Sequence, residues 1–424
     1  MKVFLESIGC RLNQAEIEQF AAKFRKLGYE IVEDADQADL AVINTCSVTA
    51  AAASDSRGKI RLAGRSGRAR VLVTGCWSEM AQAEALALPG VIQIVRNQEK
   101  DRLPELSVEQ DPPVIDIRTL KREQLPGSHY RTRAFIKVQD GCNNHCTYCL
   151  TRLARGRARS VPFDRLMADI SAARTSGGNE IVLTGVNLGS WGYEFDPAES
   201  LTMLIERILR ETDLPRIRLS SLETFNLGDD FVRLWENPRL CPHLHLPLQS
   251  GSERILKRMA RRTLLPELAD LMGKLRKINP DFQFTTDVIV GFPGETQADF
   301  EQTLEFVRTA GFNSGHVFTF SERPGTAAVK LDGKIEKSVK KERSKVLRDQ
   351  FEAQRMDFCR GMVGKTVQVL WESAEKLPNA AWKMSGLSEN YLSVETIAAK
   401  NLQNQISRVK LTELKAKKLH GVLD

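Results

Sequence analysis

The sequence predicts an α/β protein in three parts: an open parallel sheet with covering helices, an incomplete (β/α)6 barrel, and a small all-β barrel. Three observations support this fold class. Predicted strands and helices alternate over residues 1–125, six further strand-and-helix pairs follow over residues 126–360, and short alternating segments fill residues 361–424. A chain of 424 residues also exceeds what one hydrophobic core usually organises, so several domains are expected.

The first part shows the alternation that is typical of a parallel sheet. Its predicted strands cover residues 2–7, 39–44, 70–74 and 91–95, and its predicted helices cover residues 13–27, 49–63 and 78–86. Strands that alternate with helices pair in parallel, and their carboxyl ends then share one edge of the sheet, where ligands bind.

A proline-rich, acidic stretch over residues 103–113 marks the expected linker to the second part. The six strands predicted there cover residues 134–139, 180–184, 216–220, 243–246, 282–290 and 314–320, and a charged helix over residues 335–358 follows them. In such a barrel the active-site groups lie on loops at the carboxyl ends of the strands.

The third part has the pattern of a small β-barrel. Its five predicted strands cover residues 365–371, 381–385, 391–395, 405–411 and 418–422.

Composition and charge restrict the class of protein further. No run of about eighteen apolar residues is present, and the first residues lead into a predicted strand and not into a cleavable signal, so we expect a cytoplasmic protein without a membrane segment. A net charge of +7 with a pI near 8.9 favours a polyanionic partner, although the excess is modest for this length.

The eight cysteines fall into two triads and two single residues. Grouped thiols in a reducing compartment usually bind metal or take part in redox chemistry. The compact triad is Cys142, Cys146 and Cys149; the dispersed triad is Cys10, Cys46 and Cys76, each just after a predicted strand; and the single residues, which we interpret as buried apolar thiols, are Cys241 and Cys359.

The compact triad forms a C-x3-C-x2-C segment directly after a predicted strand. Three thiolates at this spacing can hold three irons of a 4Fe-4S cube and leave the fourth iron open to a ligand. S-Adenosylmethionine binds such an open iron before its reductive cleavage. The alternative is a structural zinc site closed by His145 as the fourth ligand.

Ordered motifs along the chain carry a resemblance to a known family. The matching segments are 7–16 (SIGCRLNQAE), 43–49 (INTCSVT), 74–76 (TGC), 138–142 (VQDGC), 154–156 (ARG), 183–189 (LTGVNLG), 218–223 (RLSSLE), 246–252 (LPLQSGS) and 287–295 (DVIVGFPGE). With these motifs the chain resembles the methylthiotransferases of the radical S-adenosylmethionine enzymes over essentially its whole length. The similarity is greatest to the branch that adds a methylthio group to C2 of N6-threonylcarbamoyladenosine beside the anticodon of tRNA.

The resemblance implies a methylthiotransferase domain, a radical barrel and a carboxy-terminal TRAM-type barrel that holds tRNA. It also implies that the dispersed triad binds a second 4Fe-4S cluster, and that an electron donor protein such as a flavodoxin or ferredoxin is needed. The residues that it implies in contact with S-adenosylmethionine are Tyr148, Thr184, Gly185, Ser221, Glu223, Gln249 and Gly291. For Gly291 a plain strand-to-helix turn is an equal alternative.

Two other branches of the family and one other class of protein remain as alternatives. Members that act on isopentenyladenosine usually have Gln-Met after the first cysteine, and those that modify a ribosomal-protein aspartate usually have Pro-Lys-Asn-Leu, whereas this chain has Arg11-Leu12. After Cys149 relatives commonly show Ile-Ile-Pro or Ile-Val-Pro, but here residues 150–152 are Leu-Thr-Arg, which puts local substrate contacts in doubt. The alternative of another class is a zinc-containing RNA-binding protein without catalysis.

Basic residues provide candidate tRNA contacts in three regions. Two runs suit phosphate groups, although most charge runs are solvated faces, and only the resemblance favours phosphate contact. One run consists of Arg152, Arg155, Arg157 and Arg159, and the other of Lys59, Arg61, Arg65, Arg68 and Arg70. Residues 361–424 carry nine Lys or Arg against six acidic residues, a net charge of +3. Trp371, Trp382 and Tyr391 could stack on exposed bases or could pack in the barrel core.

Overall fold

The structure is a computed structural model that describes residues 1–107, 115, 119–123, 125–126, 132–224 and 227–424. Its residues form two compact units. The first comprises Met1–Asn144, Cys149–Gly177 and Leu183–Ala198, and the second comprises His145–Tyr148, Gly178–Val182 and Glu199–Asp424. The division into three domains at residues 125 and 360 stays a prediction. Within the described ranges, every helix is too short or too polar to cross a bilayer.

The first unit begins with a five-stranded parallel sheet, which confirms the predicted open α/β arrangement. Its elements are β1 (Lys2–Ser7), α1 (Arg11–Lys26), β2 (Glu30–Val32), β3 (Leu40–Thr45), α2 (Ala50–Gly64), β4 (Arg70–Gly75), α3 (Cys76–Met80), α4 (Gln82–Leu86) and β5 (Val91–Val95). The strands pair in the order β2-β1-β3-β4-β5, all in parallel. The sequence pattern missed the three-residue β2, and the single helix predicted over residues 78–86 is interrupted at Ala81.

Helices cover both faces of this sheet. All six residues of β3 are buried, as expected for a central parallel strand. On one face α1 packs Phe20 and Phe24 against β1 and β3. On the other face Ile60 of α2 packs with Ile43 and Val73. The sheet therefore separates two small apolar cores.

Shorter elements complete the first unit. They are α5 (Leu103–Leu106), β6 (Arg133–Lys137), β7 (Gln139–Asp140), α6 (Thr151–Arg155), β8 (Arg159–Ser160), α7 (Phe163–Thr175) and the end of β9 (Glu180–Thr184). The predicted linker over residues 103–113 begins with α5, and its residues 108–113 lie outside the described part of the chain. The carbonyl oxygen of Thr184 accepts a hydrogen bond from the amide of Val138 over 2.9 Å.

The second unit contains the remaining strand-and-helix pairs. They are α8 (Leu201–Glu211), β10 (Arg216–Leu219), α9 (Asp229–Arg233), β11 (His243–His245), α10 (Glu253–Arg258), α11 (Leu265–Ile278), β12 (Gln283–Val290), α12 (Gln297–Thr309), β13 (Ser314–Thr319) and α13 (Lys337–Met362). Strands β11, β12 and β13 pair in parallel. The predicted series of six strands, each followed by a helix, is confirmed.

The last five strands form a closed barrel, as the sequence predicts. They are β14 (Thr366–Lys376), β15 (Trp382–Ser388), β16 (Ser393–Ala398), β17 (Ile406–Lys415) and β18 (Lys418–Leu423). Their order around the barrel is β14-β15-β16-β18-β17. The barrel core includes Trp371, Met384 and Val409, together with Cys359 and Met362 from α13.

The three aromatic residues considered for base stacking all pack within the second unit. Trp371 is fully buried, and its indole nitrogen donates to Oγ of Ser407 over 3.1 Å. Trp382 packs against the barrel core, and the ring of Tyr391 stacks on His243 at a centroid distance of 4.4 Å. The structure thus favours core packing over base stacking for these rings.

Two buried guanidinium groups of β10 bind the carboxy-terminal barrel. Arg218 pairs with Glu180 over 2.7 Å and donates to the carbonyl oxygens of residues 388 and 389 over 3.3 and 3.1 Å. Arg216 donates to the carbonyl oxygens of residues 368 and 387. These bonds hold the barrel against β10.

Two glycines of α2 should respond oppositely to substitution. In Gly64→Ala the new methyl group would lie 2.0 Å from the carbonyl oxygen of Pro89, and we expect a loss of about 3 kcal/mol in the free energy of unfolding. A Cβ atom added at Gly58 would have no neighbour within 4 Å, so Gly58→Ala should raise the free energy of unfolding by about 1 kcal/mol through its helix propensity. Thermal unfolding of the full chain measures both; equal midpoints for the two variants would contradict the close helix–loop packing.

Candidate functional site

The three cysteines of the dispersed triad follow three neighbouring parallel strands. Cys10 follows β1, Cys46 follows β3, and Cys76 is the first residue of α3 directly after β4. Since β1, β3 and β4 are adjacent in the sheet, their carboxyl ends lie along one edge. The structure therefore places the triad at that edge, while the role of the three thiols as ligands stays a prediction.

Glycines let the loops of the triad approach one another closely. Gly9 has a φ of +93°, and a Cβ atom there would lie 2.4 Å from Sγ of Cys46. Gly75 has a φ of +101°, and its Cβ would lie 2.3 Å from the carbonyl oxygen of Thr45. Only glycine tolerates both this backbone region and this proximity, so the residues that precede Cys10 and Cys76 lie directly against the end of β3.

The fully buried side chain of Asn13 joins these loops. Its Nδ2 donates to the carbonyl oxygens of Ile8 over 2.8 Å and of Thr45 over 3.0 Å. Its Oδ1 accepts a hydrogen bond from the guanidinium group of Arg155 over 2.6 Å. One carboxamide thus connects the loop before Cys10, the end of β3 and helix α6.

Arg155 lies among the triad and two buried carboxylates. Its side chain is only 2% exposed, and its Nε donates to Sγ of Cys76 over 3.3 Å. One terminal nitrogen donates to the carboxylates of Glu16 and Asp140 over 3.0 and 2.9 Å. The assignment of Arg155 to a phosphate-contacting run was therefore wrong, because its charge is used inside the protein; Arg157 of the same run is exposed.

Glu16 is the shared partner of three buried cations. Its carboxylate lies 3.0 Å from Arg155, 2.5 Å from Lys100 and 3.4 Å from Lys137. Burial raises the pKa of Glu16, but the three cations outweigh burial and hold its pKa well below the usual range. Glu16 therefore remains ionised and balances charge beneath the triad.

The thiols of the dispersed triad are protonated unless metal binds them. Burial raises the pKa of the Cys46 thiol to about 11, and the Cys10 and Cys76 thiols add to the increase, so metal must displace the proton. Among the described residues, no three Cys, His, Asp or Glu side chains are placed to hold one metal ion. A 4Fe-4S cube would engage three thiolates through three separate irons, and the buried Arg155 guanidinium would place a positive charge beside such an anionic group.

Two cysteines of the compact triad lie in the first unit. Cys142 and Cys149 belong to the first unit, where the amides of Asn144 and Thr151 donate to their respective sulfur atoms, each over 3.4 Å. The amide of Cys142 itself donates to the carbonyl oxygen of Gly156 over 3.1 Å. Amide donors of this kind stabilise a thiolate or a cluster-bound sulfur.

The second unit holds Cys146 and a basic residue that the sequence analysis missed. Arg261 lies 4.0 Å from Sγ of Cys146, pairs with Glu223, and donates to the carbonyl oxygen of Pro247 over 2.9 Å. Burial lowers the pKa of Arg261, but Tyr148, Glu223 and Cys146 outweigh burial and raise it. Its buried Nε has no hydrogen-bond partner among the described residues.

Tyr148 and the turn at Gly291 lie together in the second unit. The ring of Tyr148 packs edge to face on Phe292 at 6.4 Å. Gly291 has a φ of +70°, and its amide donates to the carboxylate of Glu295 over 2.6 Å. Arg343 of α13 pairs with the same carboxylate over 2.7 Å, a contact that the sequence analysis missed because the two residues are 48 positions apart. The turn is thus fixed by an ion pair, while its contact with a cofactor stays a prediction.

The other predicted cofactor contacts lie at strand ends. Thr184 and Gly185 are at the end of β9 in the first unit, and Ser221 and Gln249 follow β10 and β11 in the second. Gln249 has a φ of +66°, which is uncommon for a residue other than glycine, and its amide donates to the carbonyl oxygen of Asp287 over 2.8 Å. Their roles in cofactor binding stay predictions.

The two single cysteines lie away from both triads in the sequence. Cys241 and Cys359 are buried, and neither forms a disulfide. Burial raises the pKa of Cys241 to about 11, so its thiol is protonated at neutral pH. Both have the environment expected of apolar core thiols.

Comparison with known proteins gives matches along nearly the whole chain. A model described as the Radical SAM superfamily matches residues 136–307, and one described as Uncharacterized protein family UPF0004 matches residues 2–96. Threonylcarbamoyladenosine tRNA methylthiotransferase MtaB of Thermotoga maritima is 39% identical over 87% of this chain and 86% of its own length. The MtaB protein of Bacillus subtilis is 32% identical over 96% of this chain and 93% of its own length.

A relative that is named for another substrate also matches, and so does one solved structure. tRNA-2-methylthio-N(6)-dimethylallyladenosine synthase of Cereibacter sphaeroides is 33% identical over 99% of this chain and 98% of its own length. The radical S-adenosylmethionine methyltransferase TsrM from Kitasatospora setae superposes with a TM-score of 0.58 over 77% of this chain and 76% of that chain. Because TsrM is only 12% identical in sequence to this chain, its similarity concerns the fold alone.

The superfamily model matches residues 136–307, which include the cysteine segment that can leave one iron open. This combination defines a radical S-adenosylmethionine enzyme. The MtaB protein of Thermotoga maritima is 39% identical to this chain over 87% of its residues. The chain therefore belongs to the methylthiotransferase family of these enzymes. Membership of the superfamily implies S-adenosylmethionine and one 4Fe-4S cluster.

Removing the carboxylate of Glu16 should destabilise the first unit. Glu16→Gln leaves three buried cations short of their shared partner, and we expect a loss of about 3–5 kcal/mol at pH 7. The folded-state pKa of Glu16 is depressed, so its contribution is complete above about 4.3, the unfolded value, and fades as pH falls below it. Thermal unfolding of the apoprotein at several pH values measures this; Glu99→Gln, at an exposed neighbour of Lys100, is the control. If Glu16→Gln lost as much stability relative to the wild type at pH 3 as at pH 7, Glu16 would not be ionised in the folded protein.

Proposed function

We propose that this tRNA methylthiotransferase acts on N6-threonylcarbamoyladenosine beside the anticodon and adds a methylthio group to C2 of its adenine ring. The observation that carries the proposal is the second set of three thiols, Cys10, Cys46 and Cys76, on neighbouring strand ends. Radical cleavage of S-adenosylmethionine alone would need only the compact triad, so a second triad supports a reaction that also transfers sulfur.

The target position explains why radical chemistry is required. The C2 hydrogen of adenine has no useful acidity, so a base cannot remove it. A cube on Cys142, Cys146 and Cys149, with S-adenosylmethionine bound, would supply the 5′-deoxyadenosyl radical that can. The protein's own part is to hold the cofactor: the buried Arg261 and the half-buried Glu223 offer opposite charges for its amino-acid end.

A second 4Fe-4S cube at Cys10, Cys46 and Cys76 is part of the proposal and would supply the place where the transferred sulfur is carried. The chain contributes three features there. Gly9 lets the Cys10 loop pass against Cys46, Asn13 fixes both loops by hydrogen bonds, and Arg155 places a cation beside one sulfur.

The choice of the threonylcarbamoyl branch rests on the sequence near the first cysteine and on the relatives. Arg11-Leu12 departs from the Gln-Met and Pro-Lys-Asn-Leu patterns of the other two branches. Relatives named MtaB reach 39% identity, but a relative that is named for dimethylallyladenosine reaches 33% over a larger share of the chain. Isopentenyladenosine tRNA is therefore the second candidate substrate.

The anticodon stem-loop of tRNA would bind basic surfaces of the protein. The barrel of residues 361–424 has a net charge of +3, and the exposed Arg157 and Arg159 follow α6. We expect a flavodoxin or ferredoxin to be the electron donor.

Nucleoside analysis of cells that lack the gene tests the substrate. We expect 2-methylthio-N6-threonylcarbamoyladenosine to disappear, N6-threonylcarbamoyladenosine to accumulate, and the methylthio derivative of isopentenyladenosine to persist. Mass spectrometry of digested tRNA measures all three. Loss of the isopentenyl derivative alone would replace the proposed substrate by the second candidate.

Cysteine variants test the two clusters separately. The wild-type chain should hold about eight irons after anaerobic reconstitution, and Cys142→Ala or Cys46→Ala should each reduce this to about four. Cys142→Ala should also abolish reductive cleavage of S-adenosylmethionine. Cys359→Ala is the control and should keep all the iron, since Cys359 lies in the barrel core.

The same measurement separates the enzyme from a zinc-containing RNA-binding protein. A chain that takes up one zinc ion per molecule, holds no iron and cleaves no S-adenosylmethionine would contradict both clusters. Cleavage with about four irons in the wild type would contradict only the second cluster.

A further inference from the structure

We propose that Arg155 is a positioning residue for the cluster at Cys10, Cys46 and Cys76, where its guanidinium group orients the Cys76 sulfur and raises the reduction potential of the cluster. The inference rests on the proposed function, because it requires that second cluster. Arg155 belongs to a run of arginines that suits phosphate groups, but here it has a role inside the protein.

The orientation of the guanidinium group is fixed by three acceptors. Glu16 and Asp140 accept from one terminal nitrogen, and Asn13 accepts from the other. The donor at Nε points at Sγ of Cys76 over 3.3 Å. The planar group cannot rotate away from the sulfur without losing charge-assisted hydrogen bonds in a buried site.

The segment that carries Arg155 is also attached to the compact triad within the first unit. Helix α6 begins two residues after Cys149, and Arg155 is its last residue. The next residue, Gly156, accepts the hydrogen bond from the amide of Cys142. The position of the guanidinium group is therefore set by the same loop that carries two of the proposed ligands of the radical cluster.

A fixed cation beside a ligand sulfur has a predictable electrostatic effect. Reduction adds one negative charge to a cluster, and a nearby cation stabilises the reduced state more than the oxidised state. Hydrogen bonds to cluster sulfurs act in the same direction. Because Arg155 is 2% exposed, water and salt screen this interaction little.

The test uses the full-length chain with Cys142→Ala, Cys146→Ala and Cys149→Ala, so that only the other triad binds iron. After anaerobic reconstitution, a redox titration followed by electron paramagnetic resonance gives the midpoint potential. Arg155→Gln should make reduction at least tenfold less favourable, a shift of about −59 mV for one electron. Arg155→Lys keeps the charge and should shift the potential less. Arg157→Gln, at an exposed neighbour, should leave it unchanged.

The possible results distinguish the role of Arg155 from the existence of the second cluster. An unchanged potential in Arg155→Gln, with iron retained, would overturn the role of Arg155 alone. If Arg155→Gln loses its iron, Arg155→Lys decides, because it keeps the positive charge but lacks the Nε–H donor to Sγ of Cys76 and should lower the potential; an unchanged potential there would overturn the inference. Absence of iron from the starting triple variant would contradict the second cluster itself.

Discussion

The ion pair between Arg155 and Glu16 is the interaction on which the first unit depends. It joins residues 139 positions apart and connects α1, which begins directly after Cys10, to α6, which follows Cys149. Asn13 lies one helical turn before Glu16, so both side chains project from the same face of α1 toward Arg155. Helix α1 thus covers the sheet with its apolar face and organises the strand ends with its polar one.

Buried guanidinium groups recur where the second unit needs a fixed loop. Arg343 holds Glu295 behind the turn at Gly291, and Arg261 holds Glu223 close to Cys146. Buried ion pairs gain little stability over apolar packing of the same volume. Their occurrence at each candidate site agrees with a role in orienting loops, since a charged pair has one well-defined geometry where apolar side chains have several.

Local sequence patterns were enough to predict most helices and strands, but they could not predict the contacts between residues far apart in the chain. The buried strands β3 and β4 carry strong apolar runs, so their positions followed from periodicity. Strand β2 is too short to show a period, and the break at Ala81 has no proline or glycine to signal it. Arg155 lies in a run of arginines that looks like a solvated face, and only the fold shows that Glu16 and Asp140 surround it. Arg261 and Arg343 were missed for the same reason, because their partners lie 38 and 48 positions away.

The bonds from β10 to the last five strands bear on how this enzyme could have been assembled in evolution. Arg216 and Arg218 place their charges against main-chain oxygens of the terminal barrel, and Arg218 is fully buried. A chain cut at residue 360 would strip both guanidinium groups of these acceptors. Replacement of the terminal barrel by an unrelated module would therefore leave two buried charges without acceptors, unless the new module placed carbonyl oxygens at the same positions.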